Sequence, residues 1–146
     1  MDTPAAGSPL ADTQLVDVLI VDGANVVGSR PDGWWSDRAG AAARLHARLA
    51  ATPGLANHVV LVLEGRARAG VPATRSGPVH VVHAPGEGDD TIVDETRGVV
   101  AERRTAAVVT ADRGLAARIE EVGGRLLRPG WLLGRLDAPD ESGRAH

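Results

Sequence analysis

Residues 18–28 read VLIVDGANVVG, and this stretch decides the fold. Its first four residues are all apolar, without the polar alternation of a strand that has one face in water, which is typical of a parallel strand covered on both faces. The apolar run ends on Asp22 and Gly23, with Asn25 two residues further on. The stretch therefore predicts a buried parallel strand that carries polar side chains at its carboxyl end.

Similar Val-rich runs recur along the chain and alternate with segments whose apolar residues have helical spacing. Ser36 and Asp89 are the expected N-caps of the first two of these helices. Strands that alternate with helices predict an α/β fold with a central parallel, doubly wound sheet between two helical layers. The predicted strands cover residues 15–21, 57–63, 79–83, 106–110 and 125–128, and the predicted helices cover residues 36–51, 89–103 and 113–122.

The composition limits the class of protein. A chain of 146 residues with 43% hydrophobic content fits one globular domain, expected at residues 15–136 between disordered polar tails at 1–14 and 137–146. Zero cysteines exclude disulfides and thiolate zinc sites. Residues 1–14 lack the basic and apolar parts of a signal peptide, and no apolar run approaches a membrane span. We expect a cytoplasmic protein without membrane contact.

Acidic residues follow three of the predicted strands. Asp22 ends the first, Asp112 follows the fourth, and the helix after the third carries Asp90 and Asp94 on one face, one turn apart. The carboxyl ends of parallel strands lie at one edge of a sheet, where ligands bind. Carboxylates gathered without histidine suit hard cations such as Mg²⁺ or Mn²⁺, and phosphoryl transfer is the chemistry that uses such a cluster.

Each acid also has a purely structural explanation. Asp112 and Asp89 could be helix N-caps, and stabilisation of the helix dipole would by itself explain Asp90. Asp22 before Gly23 could simply form a turn. The joint placement of these acids at one edge favours a metal site over coincidence.

Three segments together resemble the NYN branch of the PIN-like nucleases, which are bacterial ribonucleases with a parallel sheet and an acidic magnesium site. The segments are VLIVDGANVVG, DDTIVDE at residues 89–95 and AVVTADRGL at residues 107–115. The resemblance spans residues 15–133, and its most specific part is the strand that ends in DG-x-N. It implies a single-domain PIN-like fold and a metal-dependent ribonuclease with Mg²⁺ or Mn²⁺ as its cofactor.

The resemblance also implies roles for individual residues. Asn25 would steady the site or the phosphate. Arg113 stands where some relatives carry a second acid, so the fourth metal ligand stays open among Asp94, Asp89 and Glu64. The implied metal ligands and catalytic acids are Asp22, Asp90, Asp94 and Asp112.

Residues 64–78 have no helical period and form a predicted surface loop. Its Arg66, Arg68 and Arg75, together with Arg113, are candidate contacts to the phosphates of single-stranded RNA, although a charged loop can also be merely solvated. Two tryptophans, Trp34 and Trp35, could stack on bases or pack before the following helix, and we expect at least one of them to pack.

Other functional classes fit less well. A dinucleotide-binding domain would need G-x-G-x-x-G after the first strand, and a receiver domain would need a lysine that the chain lacks. The net charge of −3 argues against a nucleic-acid partner, but cations in the acidic site would neutralise it. Two alternatives stay open: a non-catalytic PIN-like adaptor that binds RNA or protein, and a hydrolase acting on nucleotides or DNA.

Overall fold

The computed structural model describes residues 16–30 and 33–138. Two short 3₁₀ helices, Trp34–Ser36 and Gly65–Gly70, accompany the regular elements. No helix within these described ranges is long and apolar enough to cross a membrane. The strands are β1 (Val18–Asp22), β2 (His58–Leu63), β3 (Val79–His83), β4 (Ala106–Val109) and β5 (Arg125–Leu127), and the α-helices are α1 (Gly23–Gly28), α2 (Arg38–Ala50), α3 (Gly88–Ala101), α4 (Arg113–Glu121) and α5 (Pro129–Asp137).

The five strands form one parallel sheet in the order β3-β2-β1-β4-β5, with β1 at its centre. Alternate side chains of β1 enter opposite layers because successive residues of a strand face opposite ways. Leu19 and Val21 pack with α1, α2 and α5, whereas Val18 and Ile20 pack with α3 and α4. The predicted α/β architecture, a doubly wound parallel sheet between two helical layers, is confirmed.

Two predicted helix caps are wrong. The side chain of Asp37, not that of Ser36, caps α2, because Oδ1 of Asp37 accepts a hydrogen bond from the Gly40 amide at 2.9 Å. Ser36 instead ends the preceding 3₁₀ helix. At the start of α3, Asp89 lies inside the first turn, since the helix already begins at Gly88.

Two helices were not predicted. The short α1 follows β1 without a loop, and Gly23 permits this because a Cβ there would lie 2.8 Å from the carbonyl oxygen of Val62. The other is α5, whose last residue, Asp137, accepts hydrogen bonds from Arg30 and Arg48. The C-terminal tail therefore does not begin at 137. The rest of that predicted tail, from 139, and the predicted N-terminal tail lie outside the described residues.

The predicted loop at residues 64–78 is more ordered than expected. Its first part is the 3₁₀ helix Gly65–Gly70, which packs against α2 so closely that a Cβ at Gly70 would lie 2.0 Å from the carbonyl oxygen of Ala39. Further on, Thr74 forms an antiparallel bridge with Val81 of β3. The scaffold thus holds this segment against the sheet and against α2.

Candidate active site

The carboxyl ends of β1, β2 and β4 bring acidic residues to one edge of the sheet. The connection from β1 leads to β2 on one side, while β4 lies on the other side of β1, so the chain changes direction at this strand. Such a switch point is where open α/β sheets bind ligands. Asp22 is the last residue of β1, Glu64 follows β2, and Asp112 lies just beyond β4.

Asp22 is the buried centre of this edge, with only 7% of its surface exposed. Its Oδ2 accepts a hydrogen bond from the Thr110 hydroxyl at 2.9 Å, and its Oδ1 accepts a long one from the Asn25 amide at 3.3 Å. Burial raises the pKa of Asp22 from 3.8 to about 6; these hydrogen bonds oppose the rise, and the charges of Asp89 and Glu64 add to it. Among the residues that the structure describes, no positive charge compensates the Asp22 carboxylate.

Glu64 links the end of β2 to the start of α3. Its Oε1 accepts a hydrogen bond from the Gly88 amide at 2.7 Å and so satisfies one of the free N–H groups at the helix start. The next residue, Asp89, is partly buried. Its pKa is raised first by this burial and then by the charges of Asp112, Glu87 and Glu64, while Arg118 lowers it.

The β4 end is tied to α1 by side-chain hydrogen bonds. The Thr110 oxygen that donates to Asp22 also accepts from the Asp112 amide at 3.1 Å. Oδ1 of Asp112 accepts from the Leu115 amide at 2.9 Å and caps α4, as its structural explanation predicted. Oδ1 of Asn25 accepts from the Ala111 amide at 2.8 Å. Asn25 and Thr110 thus fix the two acids relative to each other.

The charges of Asp89 and Glu64 act on Asp22, and those of Asp112, Glu87 and Glu64 act on Asp89. We call Asp22, Glu64, Asp89 and Asp112 the acidic edge. Within residues 16–30 and 33–138, no three His, Cys, Asp or Glu side chains lie close enough together to hold a metal ion. The acidic edge offers only carboxylate oxygens, from four chain segments, and such oxygens are the ligand type that hard divalent cations take.

Two of the predicted acids are not part of the acidic edge. The side chain of Asp90 is 84% exposed and pairs with Arg118 at 2.9 Å, and that of Asp94 is 74% exposed and pairs with Arg97 at 3.2 Å. They do share one helical face, but this face of α3 points to solvent. The acid of α3 that faces the other carboxylates is Asp89, which lies three residues before the buried Ile92 and therefore on the packed face.

The four candidate arginines are all exposed, and they differ in whether another residue accepts a hydrogen bond from them. Arg68 donates to the carbonyl oxygens of Gly65 and Ala84, and Arg75 makes two hydrogen bonds to the Glu95 carboxylate. Both hold the scaffold together. Arg66 and Arg113 are exposed, and no hydrogen bond or ion pair involves either of them within the part of the chain that the structure describes.

Sequence reasoning missed Thr110 and left Asp89 as no more than a candidate fourth ligand. Thr110 contacts Asp22, which is 88 residues away in the chain, so no local pattern reveals the bond. The position of Asp89 could have been found by extending the apolar stripe of Ile92 and Thr96 back by one turn.

The fold is shared with Rae1 (YacP) from Bacillus subtilis. The crystal structure of a single-site mutant of Rae1 gives a TM-score of 0.67 at 20% sequence identity, over 83% of this chain and 75% of that chain. A second crystal structure of Rae1 gives 0.58 at 18% identity, over 83% and 74% of the two chains. No family model matches this sequence, and no curated protein matches it. At such identities the likeness shows the fold alone: a single α/β domain around a five-stranded parallel sheet.

Proposed function

We propose that the protein is a ribonuclease that hydrolyses RNA phosphodiester bonds at the acidic edge with Mg²⁺ or Mn²⁺ as its cofactor. One observation carries the proposal: the buried Asp22 lies at the switch point of the sheet under the charges of other carboxylates, and no basic side chain among residues 16–30 and 33–138 pairs with it. Buried charges are ordinarily paired or bound to metal, because an isolated one is costly. The resemblance to PIN-like nucleases favours the same chemistry.

In this proposal Asp22, Glu64, Asp89 and Asp112 would hold the cation. When bound, it supplies Lewis acidity, which lowers the pKa of water and stabilises the charge on the leaving oxygen. Thr110 keeps the Asp22 carboxylate turned toward the edge, and Glu64 holds the first turn of α3 so that Asp89 faces the same place.

Arg66 and Arg113 are the cations that would meet the RNA backbone. Each lies within two residues of an acid of the acidic edge, Arg66 after Glu64 and Arg113 after Asp112. Exposed guanidinium groups can pair with phosphate oxygens. Single-stranded RNA is the substrate that we propose.

A non-catalytic adaptor with the same fold is the second candidate. It is favoured by the structural tasks of two acids, since Asp112 caps α4 and Glu64 accepts from the Gly88 amide. In that case the acids would serve as caps, and the RNA or protein ligand would bind without metal.

Incubation of the purified protein with single-stranded RNA and Mn²⁺ tests the proposal. We expect fragments with 5′-phosphate and 3′-hydroxyl ends, because hydrolysis by water makes no use of the neighbouring 2′-hydroxyl. A chelator should stop the reaction, and a DNA of the same sequence shows whether the enzyme discriminates by sugar. Cyclic phosphate ends would contradict the mechanism. If no RNA, DNA or nucleotide is cleaved and RNA binding survives chelation, the adaptor is the correct function.

A further inference from the structure

A second concave site adjoins the acidic edge. It is a pocket of about 190 Å³ between α1, the 3₁₀ helix Trp34–Ser36, α2 and the segment after β2. A water molecule occupies ~30 Å³ in the liquid, so the pocket has room for a ring system and not only for a single water. We call it the ring pocket, and its main lining residues are Gly23, Trp34, Arg38, Leu63, Glu64 and Ala67.

The ring pocket combines an aromatic wall with a cation. The Arg38 guanidinium lies over the Trp34 ring, 5.3 Å from its centroid, and both side chains line the pocket. Trp34 is half-buried and lies close to Gly28, where a Cβ would meet its ring at 3.4 Å. An indole held in place beside a planar cation is the combination on which nucleic-acid bases stack.

The pocket is continuous with the proposed catalytic site. Glu64 lines it and also belongs to the acidic edge, and Gly23 follows Asp22 directly. A strand whose phosphodiester lies at the acidic edge can therefore place a neighbouring base in the pocket.

From this geometry we infer that the ring pocket binds one unpaired nucleobase of the RNA, next to the bond that is cleaved. The inference deepens the proposed function and rests on it for the identity of the polymer. The base contacts the indole of Trp34 and the guanidinium of Arg38, so that the pocket selects unpaired RNA over duplex, whose bases are stacked and paired. Sequence reasoning weighed stacking against packing for Trp34; the pocket gives this residue both roles.

The adjacent Trp35 provides a matched control. It is 62% exposed and meets Trp34 edge-on, but it does not line the pocket. Binding is measured with the Asp22→Asn variant as parent, so that cleavage does not interfere. The ligands are a short single-stranded RNA and a series of the same RNA with one base removed at each position in turn.

We expect one abasic position to weaken binding to the parent by about 5- to 150-fold, the range for stacking on an aromatic side chain. Adding Trp34→Ala should weaken binding of the intact RNA to a similar extent and abolish the further loss at that position. Adding Trp35→Ala should change neither value. Trp34→Phe retains an aromatic wall and should bind almost as the parent does, and Arg38→Ala, at an exposed position, should weaken binding without affecting the fold.

Equal losses for Trp34→Ala and Trp35→Ala, or an abasic loss that persists in Trp34→Ala and in Arg38→Ala, would overturn the inference. The result is independent of the test of catalysis. If wild-type protein cleaves RNA but the abasic losses are independent of Trp34, the ring pocket is not a base site and the ribonuclease stands. If the losses depend on Trp34 but nothing is cleaved, the pocket stands and the proposed activity is wrong.

Discussion

Asp17 and Asp22 lie at opposite ends of the central strand β1, and their surroundings shift the carboxyl pKa in opposite directions. Asp17 lies where β1 enters the sheet, and its carboxylate accepts hydrogen bonds from the Thr105 amide at 2.7 Å, the Thr105 hydroxyl at 3.1 Å and the Asn57 side chain at 3.3 Å. These hydrogen bonds, with Arg104 nearby, lower its pKa. At the other end of the strand, burial and facing carboxylates raise the pKa of Asp22.

The difference separates a structural acid from a candidate functional one. A charge that only joins strands is surrounded by donors, as Asp17 is, and stabilises the fold in its ionised form. At Asp22 two hydrogen bonds do not offset burial and the charges of other carboxylates, so the ionised form destabilises the fold, as is common for groups that take part in binding or catalysis. Four predictions test or sharpen this contrast.

The largest effect is expected on catalysis. Asp22→Asn should lower the rate of RNA cleavage by more than about 100-fold, beyond the range seen when a group outside the metal ligands is lost. Asp17→Asn should leave the rate unchanged, because this residue lies at the opposite edge of the sheet. Single-turnover cleavage with Mn²⁺ measures both. Equal rates for the two variants would remove the distinction between the edges.

The next largest effect is expected on the pH dependence of the free energy of unfolding, measured with a chelator present so that no metal ion is bound. Because folding raises the pKa of Asp22 from 3.8 to about 6, the native state binds more protons in this window, and the contribution of Asp22 to stability falls as pH rises from 4 to 6. Asp22→Asn should therefore raise the free energy of unfolding at pH 7 by on the order of 3 kcal/mol, with little gain at pH 4.

The contribution of Asp17 to the free energy of unfolding should change with pH in the opposite direction. Its pKa is lowered on folding, so its contribution is present above pH 3.8 and is lost as pH falls below that value. Asp17→Asn should thus lower stability at pH 7. Urea unfolding of wild type and both variants between pH 4 and 7 provides the comparison. A difference between wild type and Asp22→Asn that does not change with pH would contradict the assigned pKa.

A smaller effect is expected at the hydroxyl that orients Asp22. Thr110→Val removes the donor to Oδ2 of Asp22 and should lower cleavage by about 10-fold, a typical cost for a group that orients a ligand. It should also move the acidic limb of the pH–rate profile to higher pH, because Asp22 loses a hydrogen bond that favours its ionised form. Thr96→Val is the matched control: this threonine is also buried, but its hydroxyl bonds to Ile92 within α3.

The smallest effect is expected from single arginines. Arg66→Ala should reduce the slope of log affinity against log salt concentration by ~0.7, the value for one phosphate contact on a single strand. Arg75→Ala should leave the slope unchanged, since its guanidinium is engaged by Glu95. RNA binding measured from 50 to 300 mM salt, in steps, separates them. If Arg75→Ala reduced the slope and Arg66→Ala did not, Arg75 would be the phosphate contact and Arg66 would not.

The sequence predicted most of the sheet because its strands are local apolar runs. The strand at residues 79–83 was predicted with its observed bounds, and the parallel order follows from alternation with helices. The short α1 escaped prediction because its six residues are too few to show a helical period. The sequence also placed Asp22 and Asp112 after the first and fourth strands, where the structure has them, and left Glu64 after the second strand as an open alternative.

The phase of α3 was not used in the prediction, although the apolar stripe through Ile92 and Thr96 carries it. One residue of shift in a helix turns a side chain by about 100°, which decides whether Asp89 or Asp90 faces the acidic edge. The start of α3 at Gly88 is stabilised by Glu64, a contact across 24 positions in the chain. That hydrogen bond stabilises the start of the helix, while the buried Ile92 determines that Asp89, and not Asp90, lies on the packed face.

These two neighbours allow the most direct test of the central claim, which is that the acidic edge binds a divalent cation. Mn²⁺ titration, followed by electron paramagnetic resonance, compares wild type with Asp89→Asn and Asp90→Asn. We predict that Asp89→Asn weakens Mn²⁺ binding by at least about 10-fold and that Asp90→Asn leaves it unchanged, although both variants remove one negative charge from the same turn. Equal weakening by the two variants, or a wild-type protein that binds no Mn²⁺ at millimolar concentration, would contradict the account.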